Sequence, residues 1–148
     1  MRALALRPLI VRLATHHLGA LHRVLYRASG GRIGARIWGL PIVLLTTTGR
    51  RTGRETTTPL IYGLDGETPV IVASKGGAPD HPGWFKNLAK TPEVGVQIKG
   101  DRFRARPRVA EGEERARLWE LMNEVWPHYE EYATKTDREI PVVVLDRI

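Results

Sequence analysis

Arg50, Arg51 and Arg54 crowd into one short stretch, Leu-Thr-Thr-Thr-Gly-Arg-Arg-Thr-Gly-Arg-Glu-Thr-Thr-Thr-Pro (residues 45–59), with no acid before Glu55. Neighbouring guanidinium groups repel one another unless an anion bridges them. Their planar, permanently charged forks suit phosphate, which they can grip bidentately. Two β-branched runs flank the arginines, and Gly49 and Gly53 bracket the turn between them. The pattern predicts a β-hairpin with arginines at its tip and glycines supplying positive φ. Read without a ligand, the same tip is a solvated basic turn.

A second segment, Val-Ile-Val-Ala-Ser-Lys-Gly-Gly-Ala-Pro-Asp-His-Pro-Gly-Trp-Phe-Lys-Asn, covers residues 70–87. A buried-looking strand runs into Ser74, Lys75, Gly76 and Gly77, and a short helix should follow. Glycines after a strand let backbone N–H groups approach a ligand closely. Ser74 adds a hydroxyl and Lys75 a charge, Trp84 could lie against a flat ring, and Asn87 follows almost one helical turn later. The competing reading is a strand-to-helix turn with a structural tryptophan. A third segment, Trp126-Pro-His-Tyr-Glu-Glu-Tyr, places Tyr129 and Tyr132 three apart, so on a helix both would face one way. They could roof a pocket and offer a weak acid, or simply pack.

Other chemistries find little support. With no cysteine there is no disulfide or thiolate, and no histidine pair has helical metal-ligand spacing, so no metal is expected. His81 could donate a proton, but a place at the helix start suits it better. No Ser-His-Asp pattern or Walker loop is present.

The charge is uneven. Residues 1–54 contain ten arginines and no acid, within a chain of 148 residues and net charge +7. The N-terminal third is therefore expected to face something anionic. No nucleic-acid-binding signature occurs, so a lipid surface or a phosphorylated small molecule fits better. Residues 8–28 read as an amphipathic helix with Ile10, Leu13, Leu21 and Val24 on one face and Arg12, Arg23 and Arg27 on another. Such a helix can make peripheral membrane contact or pack on its own domain. No segment long enough to span a membrane is seen, and a cytoplasmic protein, peripheral on the inner face of the cell membrane, is expected.

Strands are expected at about 41–48, 55–63, 68–74, 93–99, 102–110 and 141–146, with helices at about 82–90 and 111–125. Gly100-Asp101 should join two strands as a short hairpin. The fold class is α+β, mainly β: about six mostly antiparallel strands closing as a small barrel, preceded by the N-terminal helix. Residues 1–36 would be helix and linker, and residues 37–148 the barrel domain.

Leu-Leu-Thr-Thr-Thr-Gly-Arg-Arg-Thr-Gly, Ala-Ser-Lys-Gly-Gly-Ala with Pro-Gly-Trp and Asn87, Pro-Glu-Val-Gly-Val-Gln, and Thr-Asp-Arg-Glu-Ile-Pro-Val-Val-Val-Leu occur in this order across residues 40–147. In these motifs the chain resembles the deazaflavin (F420)-dependent nitroreductases, whose FMN-binding-like split β-barrels use coenzyme F420. The resemblance implies that Arg50, Arg51 and Thr52, aided by Arg54, hold the phosphate and acidic tail of the cofactor. It implies a cradle for the deazaflavin ring from Ala73, Ser74, Lys75, Gly76 and Gly77, with Thr58, Pro59, Trp84 and Asn87 in the same groove. Tyr129 and Tyr132 would cover the substrate side, and with Ser74 they are the candidate proton donors. The implied activity is hydride transfer from reduced F420 to a quinone, nitroaromatic or activated enone, and the basic helix favours a lipid-soluble, menaquinone-like acceptor. Thr56 stands where relatives often carry a basic residue, and Ile61 where they can carry tyrosine. The alternatives are an FMN-binding split-barrel oxidoreductase and a non-catalytic F420- or lipid-binding protein.

Overall fold

Strands β2 (Leu40–Thr48) and β3 (Glu55–Ile61) are rich in β-branched residues, whose stiff side chains suit a pleated backbone. They form the expected hairpin, with Leu45 opposite Thr58 and Thr47 opposite Thr56. Its two glycines act differently. Gly53 has φ +68°, whereas Gly49 has no left-handed φ and is needed for space, because a Cβ there would lie 2.7 Å from Thr52 Oγ1. The structure is a computed structural model that describes residues 39–148 together with Arg23, Arg27, Arg36 and Ile37. The expected helix over 8–28 lies outside the described residues except for Arg23 and Arg27, which are both helical.

The strand expected at 55–63 is interrupted. Tyr62 separates β3 from β4 (Gly63–Asp65), and its N–H turns to the Pro41 carbonyl at 3.2 Å. β3 pairs with β2, whereas β4 pairs with β5 (Thr68–Val72). Antiparallel pairing continues through β8 (Val142–Arg147), β7 (Asp101–Val109) and β6 (Val94–Ile98) back to β2. The bent 55–65 segment thus joins the two ends of the sheet, and six long strands make a split barrel. A two-residue strand β1 (Arg36–Ile37) adds to β2 through a turn at Gly39, φ +79°.

Burial explains why β5 and β8 read as unbroken apolar runs. Ile71, Val143 and Leu145 point into the barrel with Val43, Leu45 and Val96. Val70, Val72, Val142 and Val144 point outward and are covered by helices. The covering helices are α2 (Gly112–Val125) and α3 (His128–Thr134), the latter absent from the sequence expectation. Leu118 and Met122, one turn apart on α2, are completely buried against this outer face. Helix α1 (Gly83–Leu88) packs Trp84 against the barrel core.

Leu118 anchors α2 with no exposed surface, so Leu118→Ala should cost about 2–5 kcal/mol of unfolding free energy. Urea denaturation measures it, and a loss well under about 1 kcal/mol would show that α2 lies outside the cooperative core.

Candidate functional site

Where the chain swings from β3 to β4, a seam opens between β3 and β5. Pro59 sits in β3 opposite Leu44, and having no N–H it suits a strand whose outer edge is unpaired. Two adjoining cavities, about 510 and 420 Å³, run along the seam and share Thr58, Lys75, Pro82 and Trp84. The three segments singled out in the sequence meet here.

One end belongs to the hairpin tip. Thr47, Thr56 and Thr58 lie on the same strand face as Leu45, which points into the core. Inward positions therefore change from hydrocarbon to hydroxyl as the hairpin leaves the barrel, and Thr56 and Thr58 line the cavity with Arg50, Arg51 and Thr52. Asn87, buried on α1, ties this tip down. Its Nδ2 donates to Thr47 Oγ1 at 2.9 Å, and its Oδ1 accepts from the Arg50 backbone N–H at 3.2 Å and Arg50 Nη1 at 3.1 Å. Lys90 Nζ adds a bond to the Arg50 carbonyl at 3.1 Å. Asn87 lines the groove, but most of its amide is committed to holding Arg50. Among the described residues no carboxylate pairs with Arg50, Arg51 or Arg54.

The middle is the loop after β5. Lys75, Gly76 and Gly77 have consecutive left-handed φ values of +47°, +63° and +83°. Gly77 also has no room for a side chain, since a Cβ would meet the Tyr132 carbonyl at 2.6 Å. The Lys75 ammonium is paired with Asp80 at 3.2 Å, and Lys86 reaches the same carboxylate. Hydrogen bonds from Lys86 and Lys75 hold Asp80 down at about 2, so it stays charged at any ordinary pH.

Under this loop lies Arg138, which the sequence reading quoted within a motif but did not assign to the site. Its Nε donates to Ala78 O at 2.9 Å, Nη1 to Ala73 O at 3.2 Å, and Nη2 to Ser74 O at 2.7 Å. Nη1 also lies 3.0 Å from His81 Nδ1. An arginine only donates, so His81 accepts at Nδ1 and carries its proton on Nε2. Burial first, then the Arg138 and Lys86 charges, push the His81 pKa below its ordinary value.

The far end is aromatic. Trp126, Tyr129 and Tyr132 line the second cavity together with Leu60 and Ile61. Tyr129 and Tyr132 face the same way on α3, with ring centroids 6.2 Å apart. Burial, reinforced by Tyr132, drives the Tyr129 phenol well above its usual range and keeps it neutral. Tyr132 is only half-buried and its oxygen accepts from Trp126 Nε1 at 3.4 Å.

Most expected site residues converge on the groove, and three do not line it. Arg54 instead closes the turn, its carbonyl accepting from Gly49 N–H and its own N–H donating to Thr52 Oγ1. Ala73 is buried in the barrel core, and Gly77 sits beneath α3. Arg138 is legible in the sequence only as a member of a motif, and His81 as a residue suited to the helix start or to proton donation.

The seam of this split barrel thus carries guanidinium groups at one end and aromatic rings at the other. The family model for F420H(2)-dependent quinone reductase matches residues 20–147. An F420H(2)-dependent quinone reductase of Mycobacterium tuberculosis is 44% identical over 146 residues, covering 93% of this chain and 98% of that protein. A solved F420-H2 dependent reductase, FDR-A, superposes with TM-score 0.66 at 44% identity over 72% of this chain and 94% of its own. A second solved structure, a domain-swapped dimer, has TM-score 0.70 and 39% identity, covering 92% and 96%. The chain belongs to the F420H(2)-dependent quinone reductase family: it is an F420-dependent reductase, and coenzyme F420 is its cofactor.

Gly77→Ala should displace α3 from the loop, because both φ and the Tyr132 carbonyl oppose a Cβ. A stability loss of about 1–3 kcal/mol with weakened F420 binding is expected by thermal melting and fluorescence titration; a variant that melts and binds like the parent would mean the loop and α3 yield freely.

Proposed function

We propose that the seam holds reduced F420 with its phosphate-bearing tail at Arg50 and Arg51 and its ring against the 74–76 loop, and that a menaquinone-like acceptor enters under Trp126, Tyr129 and Tyr132. The polarity gradient along the groove supports this reading above any other observation. Guanidiniums with no carboxylate partner among the described residues lie at one end, threonine hydroxyls and a glycine loop between, and aromatic rings at the other.

The residues present suit such a cofactor. Asn87 and Lys90 hold the Arg50 backbone, so the tip meets an anion without first having to be ordered. Trp84 borders both cavities while packed into the barrel, which makes it a fixed wall between tail and ring. Asp80 offsets part of the charge of Lys75 and Lys86 near the ring, while among the described residues the arginines of the hairpin tip have no carboxylate partner. When bound, the cofactor supplies the hydride, which the protein does not itself provide. The chain's own contribution is alignment, worth up to roughly 7–11 kcal/mol of a barrier when reactants are held in place.

A reduced quinone also needs a proton, and we assign its delivery to Tyr132. Trp126 Nε1 donates to the Tyr132 oxygen, which leaves the phenol hydrogen free to serve as a donor at the cavity that Tyr132 lines. Tyr129, sealed and held neutral, is better suited to shaping the pocket, and Ser74 to hydrogen-bonding the ring. The menaquinone-like acceptor further suggests that residues 8–28 bring the barrel to an anionic membrane surface. Among the described residues no helix is long and apolar enough to cross a membrane.

Arg51→Gln should raise the F420 dissociation constant about tenfold to a hundredfold while leaving affinity for a tailless deazaflavin unchanged. Equal losses for both ligands in fluorescence titrations would place Arg51 away from the tail. Tyr132→Phe should lower kcat for a soluble menaquinone analogue by about 10²–10⁴-fold without changing F420 affinity. An unchanged kcat would move the proton donor to Ser74 or water.

A further inference from the structure

We propose that Arg138 is a positioning residue that turns the Ser74 and Lys75 N–H groups into the groove, and that neutral His81 locks Arg138 in place, so that protonating His81 loosens the hold on the cofactor ring. The inference rests on the reading of the 74–76 loop as the ring cradle.

The loop's direction follows from hydrogen-bond accounting. The β5 ladder extends one step past the strand, where the Ala73 N–H meets Pro141 O at 2.9 Å. From there the carbonyls of Ala73 and Ser74 both turn to one guanidinium. Every described peptide is trans, so C=O and N–H point opposite ways across each plane. Carbonyls drawn toward Arg138 send the Ser74 and Lys75 N–H groups to the other side. Ser74, Lys75 and Gly76 line the second cavity, and among the described residues their N–H groups find no protein acceptor. A row of free donors at a ring-sized cavity would serve a flat heterocycle with carbonyl oxygens or ring nitrogens along its edge.

Only an arginine can fill this role. Four of its five N–H donors are engaged, with Ala73 O, Ser74 O, Ala78 O and His81 Nδ1. A lysine carries one compact ammonium that cannot span these acceptors. Arg138 is itself steadied by its backbone N–H, which donates to Thr136 Oγ1 at 3.3 Å.

His81 is the titrating member. Arg138 faces it from the segment before β8, Lys86 from α1 and Asp80 from its own loop, while the Phe85 ring lies 4.8 Å away. Asp80 is shared by Lys75 and Lys86, so the surroundings favour the neutral imidazole. A proton on Nδ1 would set donor against donor and charge against charge at Arg138. Because the folded protein lowers the His81 pKa from 6.5, the lock is intact at that pH and above, and is lost only as pH falls through the lowered pKa.

The test measures F420 affinity by tryptophan fluorescence between about pH 7.5 and about pH 5.5 for the parent, Arg138→Lys and His81→Asn proteins. Asparagine keeps an acceptor for Arg138 but does not titrate, and any ionisation of F420 is common to all three. The parent should weaken several-fold more than His81→Asn on acidification. Arg138→Lys should bind about tenfold more weakly at pH 7.5, with faster amide exchange at Ser74 and Lys75 in the ligand-free protein. Parallel pH profiles for the parent and His81→Asn overturn the lock. Unchanged affinity and exchange in Arg138→Lys overturn the positioning role. Altered exchange with unchanged F420 affinity would instead refute the cradle reading on which the inference rests.

Discussion

A single bent strand has to serve two neighbours, and the rest of the molecule follows from that. Residues 55–61 are committed to β2, and residues 63–65 to β5, with Tyr62 as the pivot. One backbone edge cannot follow β2 and β5 at the same place, so the barrel opens along the upper half of β3. Below the pivot, pairing and hydrocarbon packing close it. Above the pivot, Pro59 removes a donor from the free edge, and the seam becomes a groove. The buried valines on both faces of β5 and β8 supply the rigidity that lets one side of the barrel stand open.

Given that opening, three unrelated segments fill it by reach. The hairpin tip extends past the barrel and is caught by Asn87 on α1. The loop after β5 crosses the seam in a left-handed path that glycine permits and Arg138 supports from below. Helix α3 lies close enough over Gly77 to bring two tyrosines to the far end. Each contact is modest, about 0.5–1.5 kcal/mol for an ordinary hydrogen bond. Their value lies in fixing polar groups before a ligand arrives, so that binding need not order them.

Much of this was legible in the chain. The β-branched runs around the arginines mark β2 and β3 to within two residues at each end, and the apolar runs at 70–73 and 142–145 mark buried strands. The motif order also pointed to the family. What escaped were features set by tertiary geometry. Nothing in the local pattern at Tyr62 says that the strand changes partner there. Gly49 looks like a source of positive φ, yet it is required because Thr52 folds back on it. Arg138 reads as an exposed charge between Asp137 and Glu139, and only the fold brings three carbonyls to it. Arg54 is the opposite case, a tempting cation whose backbone is what the turn uses.

Electrostatics then orient whatever enters. Asp80 could have neutralised the hairpin, but it lies beside the ring loop and pairs with Lys75 and Lys86. The arginine tip is left to repel itself, a cost offset by the hydrogen bonds that Arg50 donates to Asn87 and accepts from Lys90, and relieved when an anion binds. At the loop end Asp80 offsets part of the charge of Lys75 and Lys86, whereas among the described residues no carboxylate pairs with the arginines at the tip. A ligand with an anionic tail and a flat, weakly charged head therefore has one favourable orientation. Reversing it would place the tail among indole and phenol rings, with Asp80 close by, and strand the arginines.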